Sequence, residues 1–172
     1  MTPSLPGNLT PAQLLYPDLA EEFATTRRMI AAVPDGRNDW KPHSKSMALG
    51  QLATHLAELP GFATVIFATT ELDWATFVYV PTIADSTADR LALFDSKAAE
   101  MTKALEGADW SALSQNWVMR TGDQIMIDET KAKLMRTFAL SHMAHHRAQL
   151  GVFLRLLDIA IPGTYGPSAD EK

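Results

Sequence analysis

Apolar residues recur every three or four positions in several long segments of the chain, with polar residues at most positions between them. This spacing places the apolar side chains on one side of an α-helix, so it predicts amphipathic helices rather than strands. We expect four long helices that bury their apolar stripes against one another. Their approximate ranges are 11–33, 47–70, 86–105 and 129–157.

Two features interrupt this pattern. Pro60 and Gly61 fall inside the second segment, and because proline lacks the backbone donor of a helical bond, a kink or a break is expected there. Residues 115–129 place apolar residues on both sides of a "TGDQ" turn, which is typical of a short β-hairpin. Residues 71–82 read as irregular, or short and extended. The sequence therefore predicts an all-α fold, a four-helix bundle, with a short hairpin or irregular insert before the last long helix.

Composition narrows the classes of function. The 172-residue chain is 47% hydrophobic and 20% charged, with a net charge of −5, so it lacks the basic face expected of a nucleic-acid-binding protein. Apolar runs stay well below the roughly 18 residues of a membrane span, and the N-terminus has no signal-peptide pattern, which makes a cytoplasmic location the expectation. The chain has no cysteine, so a metal would be bound by His, Asp, Glu or water, and thiol chemistry would need an external thiol.

Three of the five histidines lie within "SHMAHHRAQL", in the last predicted helix. His142 and His146 are four residues apart and follow Leu134 and Phe138 on the apolar stripe. Side chains at this spacing share one helix face and can bind one metal ion. His145 lies to one side of that line and is less favoured as a ligand.

A third ligand should come from another helix, and His55 is the candidate because it lies on the apolar stripe of the second helix. Three imidazoles without a thiolate suit Zn²⁺, Ni²⁺, Fe²⁺ or Mn²⁺, and the sequence does not choose among these ions. The competing interpretation is that these are ordinary core histidines with hydrogen-bonded rings.

Other polar residues near these histidines have candidate roles. Glu58 follows His55 by three residues and is the candidate catalytic group, as a general base or as a partner of a ligand histidine; the alternative is a solvated helix carboxylate. Gln149 could orient His146. Arg147 fits either a surface charge or an anion contact, and His43 fits an exposed loop.

The stretches "DWKPHSKSMALGQLATHLAELP", "LSHMAHHRAQLGVFLRLL" and "IPGTYGPSADE" resemble the DinB/YfiT superfamily of bacterial proteins over about residues 15–168. The resemblance implies one helical-bundle domain over 1–172, with a leader at 1–9, a tail at 160–172 and a long crossover between helices two and three. It also implies a divalent metal on His55, His142 and His146, with His145 outside the ligand set, and frequent homodimers. The sequence departs from the family pattern at Pro60 and Ala148, neither of which is a ligand position.

Some members of that superfamily are transferases or isomerases that use bacillithiol or mycothiol. The resemblance therefore implies a metal-dependent S-transferase of this thiol class, acting on a small-molecule substrate in detoxification or stress response. A metal-dependent hydrolase, or a non-catalytic scaffold whose metal only joins two helices, is the alternative.

Overall fold

The computed structural model describes residues 9–80 and 82–171, so the predicted leader lies outside the described residues except for Leu9. The fold is mostly helical with a small three-stranded sheet, and the prediction of a purely α-helical bundle was therefore too narrow. The helices are α1 (Pro11–Leu15), α2 (Leu19–Ala31), α3 (Leu49–Ala68), α4 (Thr87–Glu106), α5 (Trp110–Ser114), α6 (Lys131–Leu134) and α7 (His142–Leu156), with a π-helical segment, Met135–Ser141, joining α6 to α7. The strands are β1 (Glu71–Asp73), β2 (Asn116–Thr121) and β3 (Gln124–Thr130).

The helix boundaries follow from local chemistry. Thr10 caps α1 through a reciprocal pair of hydrogen bonds with Gln13, and the helix starts with Pro11, whose missing N–H costs nothing at that position. Ser86 caps α4 in the same way, with Asp89 as its partner. Helix α3 continues through Pro60, so the expected break does not occur there.

The main core lies where α2, α3, α4 and α7 pack together. The leucines of the predicted α3 stripe are all buried in it, as are Phe94 of α4 and Leu150 of α7. A second, smaller core surrounds Trp117, whose indole N–H donates to Thr69 Oγ1 at 2.9 Å. The two cores meet along α3, which is therefore held on both sides.

The predicted hairpin is present as β2 and β3, which pair antiparallel around Gly122. Gly122 has a φ of +57°, a left-handed conformation that glycine adopts more readily than other residues. The sequence did not predict that β1 would pair with β2 in parallel, which adds the third strand after α3. Of the helices within residues 9–80 and 82–171, none has both the length and the apolar character required to cross a bilayer.

Candidate metal centre

His55, His142 and His146 converge in the space between α3 and α7. One ring nitrogen from each lies within 4.8 Å of the others, and the ring centroids of His55 are 5.4 Å from His142 and 4.7 Å from His146. His146 is buried and the other two are partly buried. The structure thus brings together the three residues that the sequence predicted, although they come from helices nearly ninety residues apart.

The hydrogen bonds of His142 and His146 determine which nitrogens face the centre. His146 Nδ1 lies 2.8 Å from Gln149 Oε1, and because an amide oxygen only accepts, Nδ1 carries the proton. The predicted orienting role of Gln149 thus agrees with the geometry. His142 makes a hydrogen bond to the backbone of Phe138 that favours its protonated ring, and since its Nε2 faces His146, the nitrogen that donates is Nδ1.

The two Nε2 atoms consequently point at each other, 2.8 Å apart, each with a lone pair. Two facing lone pairs need a proton or a cation between them. Burial lowers the pKa of all three rings, and the neighbouring imidazoles add to this effect at His55 and His142. Together these effects bring the pKa of His142 to about 4. A shared proton is therefore disfavoured near neutral pH, whereas a divalent cation fits a cluster of neutral imidazole donors.

Three other predicted polar positions lie outside this cluster. His145 is exposed, as expected for a residue to one side of the stripe, and His43 is exposed in its loop. Of the two roles considered for Arg147, the surface charge is wrong, because the residue is buried. It is 1% exposed and its Nη1 lies 2.8 Å from Glu22 Oε2, so it forms a buried ion pair that joins α7 to α2. Sequence periodicity did not indicate this pair.

A pocket of about 430 Å³ adjoins the cluster at His55. Glu58 also lines it, and the Tyr79 hydroxyl donates to Glu58 Oε2 at 3.3 Å. Arg90 forms part of the wall although its side chain is fully buried. Sequence reasoning missed Tyr79 and Arg90. For Arg90 a signal existed, because it precedes Phe94 by four residues and thus puts a charge on the apolar stripe of α4.

The π-helical segment before His142 was also missed. Its residues continue the helical path from α6 to α7, with Phe138 in its middle packing edge-on against His142 at a centroid distance of 6.5 Å. Short π segments are uncommon and occur frequently at functional sites.

Comparison with known proteins agrees with this picture. A Bacillus subtilis protein, YrdA, is 26% identical over 153 residues, which cover 87% of this chain and 85% of the relative. A DinB-like protein from Bacillus cereus superposes with a TM-score of 0.67 at 17% identity, covering 88% of this chain and 95% of the other. A structure from Exiguobacterium sibiricum, described as a member of the DinB family, has a TM-score of 0.64 at 22% identity and covers 96% of this chain and all of its own. These structural likenesses establish the fold.

The DinB family model matches residues 8–172, nearly the entire sequence. The match includes all three histidines of the cluster and the helices that carry them. The chain belongs to the DinB family.

Proposed function

We propose that His55, His142 and His146 bind one divalent metal ion, and that the protein is a metal-dependent S-transferase joining a low-molecular-weight thiol to an electrophilic small molecule. The observation that carries the proposal is the convergence of three imidazole nitrogens within 4.8 Å beside a pocket of about 430 Å³. Family membership and the absence of cysteine favour an external thiol. The proposal includes a cytoplasmic location, where thiols are kept reduced. It also includes a homodimeric assembly.

A divalent ion in this site would supply Lewis acidity, which favours ionisation of a thiol at neutral pH. Gln149 fixes the tautomer of His146 so that Nε2 is free to act as a ligand. Tyr79 occupies Oε2 of Glu58, which leaves Oε1 to accept the thiol proton. The sulfur then forms a bond to the electrophilic carbon, and the leaving group departs with the electrons of its bond to that carbon.

The metal site is tested by elemental analysis of the protein and two variants purified from cells without added metal. His142→Ala should lose the metal, whereas His145→Ala, which changes an exposed histidine in the same helix, should retain it. Equal metal content in all three proteins would refute the site.

The activity is tested with the metal-loaded protein, a panel of thiols and an electrophile such as chlorodinitrobenzene or bromobimane. Turnover should disappear in His55→Ala and fall in Glu58→Gln. A protein that binds metal without turning over any thiol, and whose melting temperature collapses with a chelator, would instead support the scaffold role.

A further inference from the structure

Arg90 is a buried cation that lacks a carboxylate partner. Its side chain is fully buried, yet among residues 9–80 and 82–171 no Asp or Glu forms an ion pair with it. Its partners are neutral oxygens: Nη2 donates to Asn38 Oδ1 at 2.5 Å and more weakly to the Asp85 carbonyl, and Nε lies 3.4 Å from Thr54 Oγ1. Nη1 is buried and has no hydrogen-bond partner within the described part of the chain.

This arrangement is costly for the protein alone. A buried charge normally has a counter-charge and a full set of hydrogen bonds, because removal from water is otherwise strongly unfavourable. The other fully buried arginine, Arg147, also has one Nη without a hydrogen-bond partner in the described part of the chain, but unlike Arg90 it has a counter-charge, Glu22, as its ion-pair partner. Three carboxylates, those of Asp35, Asp85 and Asp89, act on Arg90 through space, but all three residues are exposed and none forms an ion pair with it. Asp35 accepts from the Thr87 amide, and Asp89 belongs to the helix cap.

The position of Arg90 relates this unpaired charge to the candidate metal centre. Arg90 and His55 both line the pocket, and Thr54, which contacts Arg90, immediately precedes His55 on α3. A molecule of moderate size in a volume of about 430 Å³ would contact both.

We propose that this pocket selects small molecules that carry a carboxylate, which Arg90 binds while the reactive end of the molecule lies at the His55 side. The inference rests on the proposed function, because it takes this pocket to be the substrate site. A planar carboxylate matches the guanidinium fork. Asp39 and Asp85 line the exposed rim of the pocket. Their negative charges repel a dianion more strongly than a monoanion, which favours a singly charged carboxylate over dianionic phosphate.

The test measures binding of acetate, butyrate and inorganic phosphate to the full-length protein by calorimetry and by the melting temperature, with and without metal depletion by 1,10-phenanthroline, a chelator that carries no carboxylate. The carboxylates should bind and raise the melting temperature, and phosphate should bind more weakly. Arg90→Met should lose roughly tenfold to a hundredfold in carboxylate affinity, as expected for a hydrogen bond to a charged group. Arg27→Met, which removes an exposed arginine of α2, should leave the affinity unchanged.

Further readouts separate ligand binding from a structural role. The Arg90 Nε–H resonance should shift on addition of butyrate, and Arg90→Met should melt no lower than the parent protein, because an uncompensated buried charge has been removed. If Arg90→Met does not fold, Arg90→Lys decides, since it keeps the charge but loses the planar fork and should also bind weakly.

Three results would overturn the inference: no carboxylate binding, unchanged binding in the folded Arg90 variant, or binding that disappears after metal depletion by 1,10-phenanthroline and thus depends on the metal instead. Binding that persists in His142→Ala and after metal depletion but requires Arg90 would support it even if the metal site itself failed. The two proposals can therefore fail separately.

Discussion

Replacing Gln149 with Leu tests whether the hydrogen bond to His146 organises a metal site. Gln149 Oε1 holds the proton on His146 Nδ1 across 2.8 Å, which leaves Nε2 as the nitrogen available to a metal. Loss of such an orienting partner typically costs tenfold to a hundredfold in metal affinity, or about 1.4–2.7 kcal/mol. Because Gln149 is exposed, water can partly replace its oxygen, so we expect a loss near tenfold, or about 1.4 kcal/mol.

The assay is competition for Zn²⁺ or Ni²⁺ against a chromophoric chelator at pH 7, with urea denaturation of the metal-free proteins as a check on folding. Gln149→Glu retains an acceptor and should bind at least as tightly as the parent protein, whereas His145→Ala should leave the affinity unchanged. An affinity of Gln149→Leu within twofold of the parent value would refute the orienting role. A loss shared equally by His145→Ala would instead point to a general effect on α7.

Three further outcomes follow from burial and charge. The metal-free protein should lose stability as the pH falls from about 6.5 towards 4, because the histidines of the unfolded chain have ordinary pKa values and bind protons, whereas the lowered pKa values of the folded site keep its histidines neutral. Melting curves at pH 7 and pH 5 measure this loss. The difference between the two melting temperatures should be smaller in His142→Ala. Glu22→Gln should destabilise the fold by about 3–5 kcal/mol in urea denaturation, since it leaves Arg147 buried without a counter-charge. Trp117→Ala should cost about 3–5 kcal/mol in the same measurement by opening a cavity in the smaller core, whereas Trp110→Ala, at an exposed position, should cost little.

Residues whose role depends on their own helix were predictable from the sequence. The i, i+4 spacing of His142 and His146 fixes a shared face, and the apolar stripe around His55 places that histidine in the interior. The meeting of His55 with the other two histidines was expected because both helices place histidine on an apolar stripe. Other partners across the fold were not predictable, because no local spacing links Arg147 to Glu22, or β1 to β2. Arg90 lies between these cases. Its position on a stripe indicated burial, but its neutral partners lie in α3 and in the separate loops before α3 and α4, and no local spacing links them to Arg90.

The π-helical segment explains why a four-residue spacing can align residues over so long a stretch. In a regular α-helix each step of four residues turns about 40° beyond a full turn, so three such steps from Leu134 to His146 would turn the side chains by about 120°. A π segment has more residues per turn, which reduces this drift across Phe138 up to His142. Phe138 can thereby pack beside Phe62 of α3, at a centroid distance of 5.9 Å, while His142 one step later still meets His55. The unusual helix is therefore part of how the chain keeps an apolar contact and a histidine pair on the same face of α3.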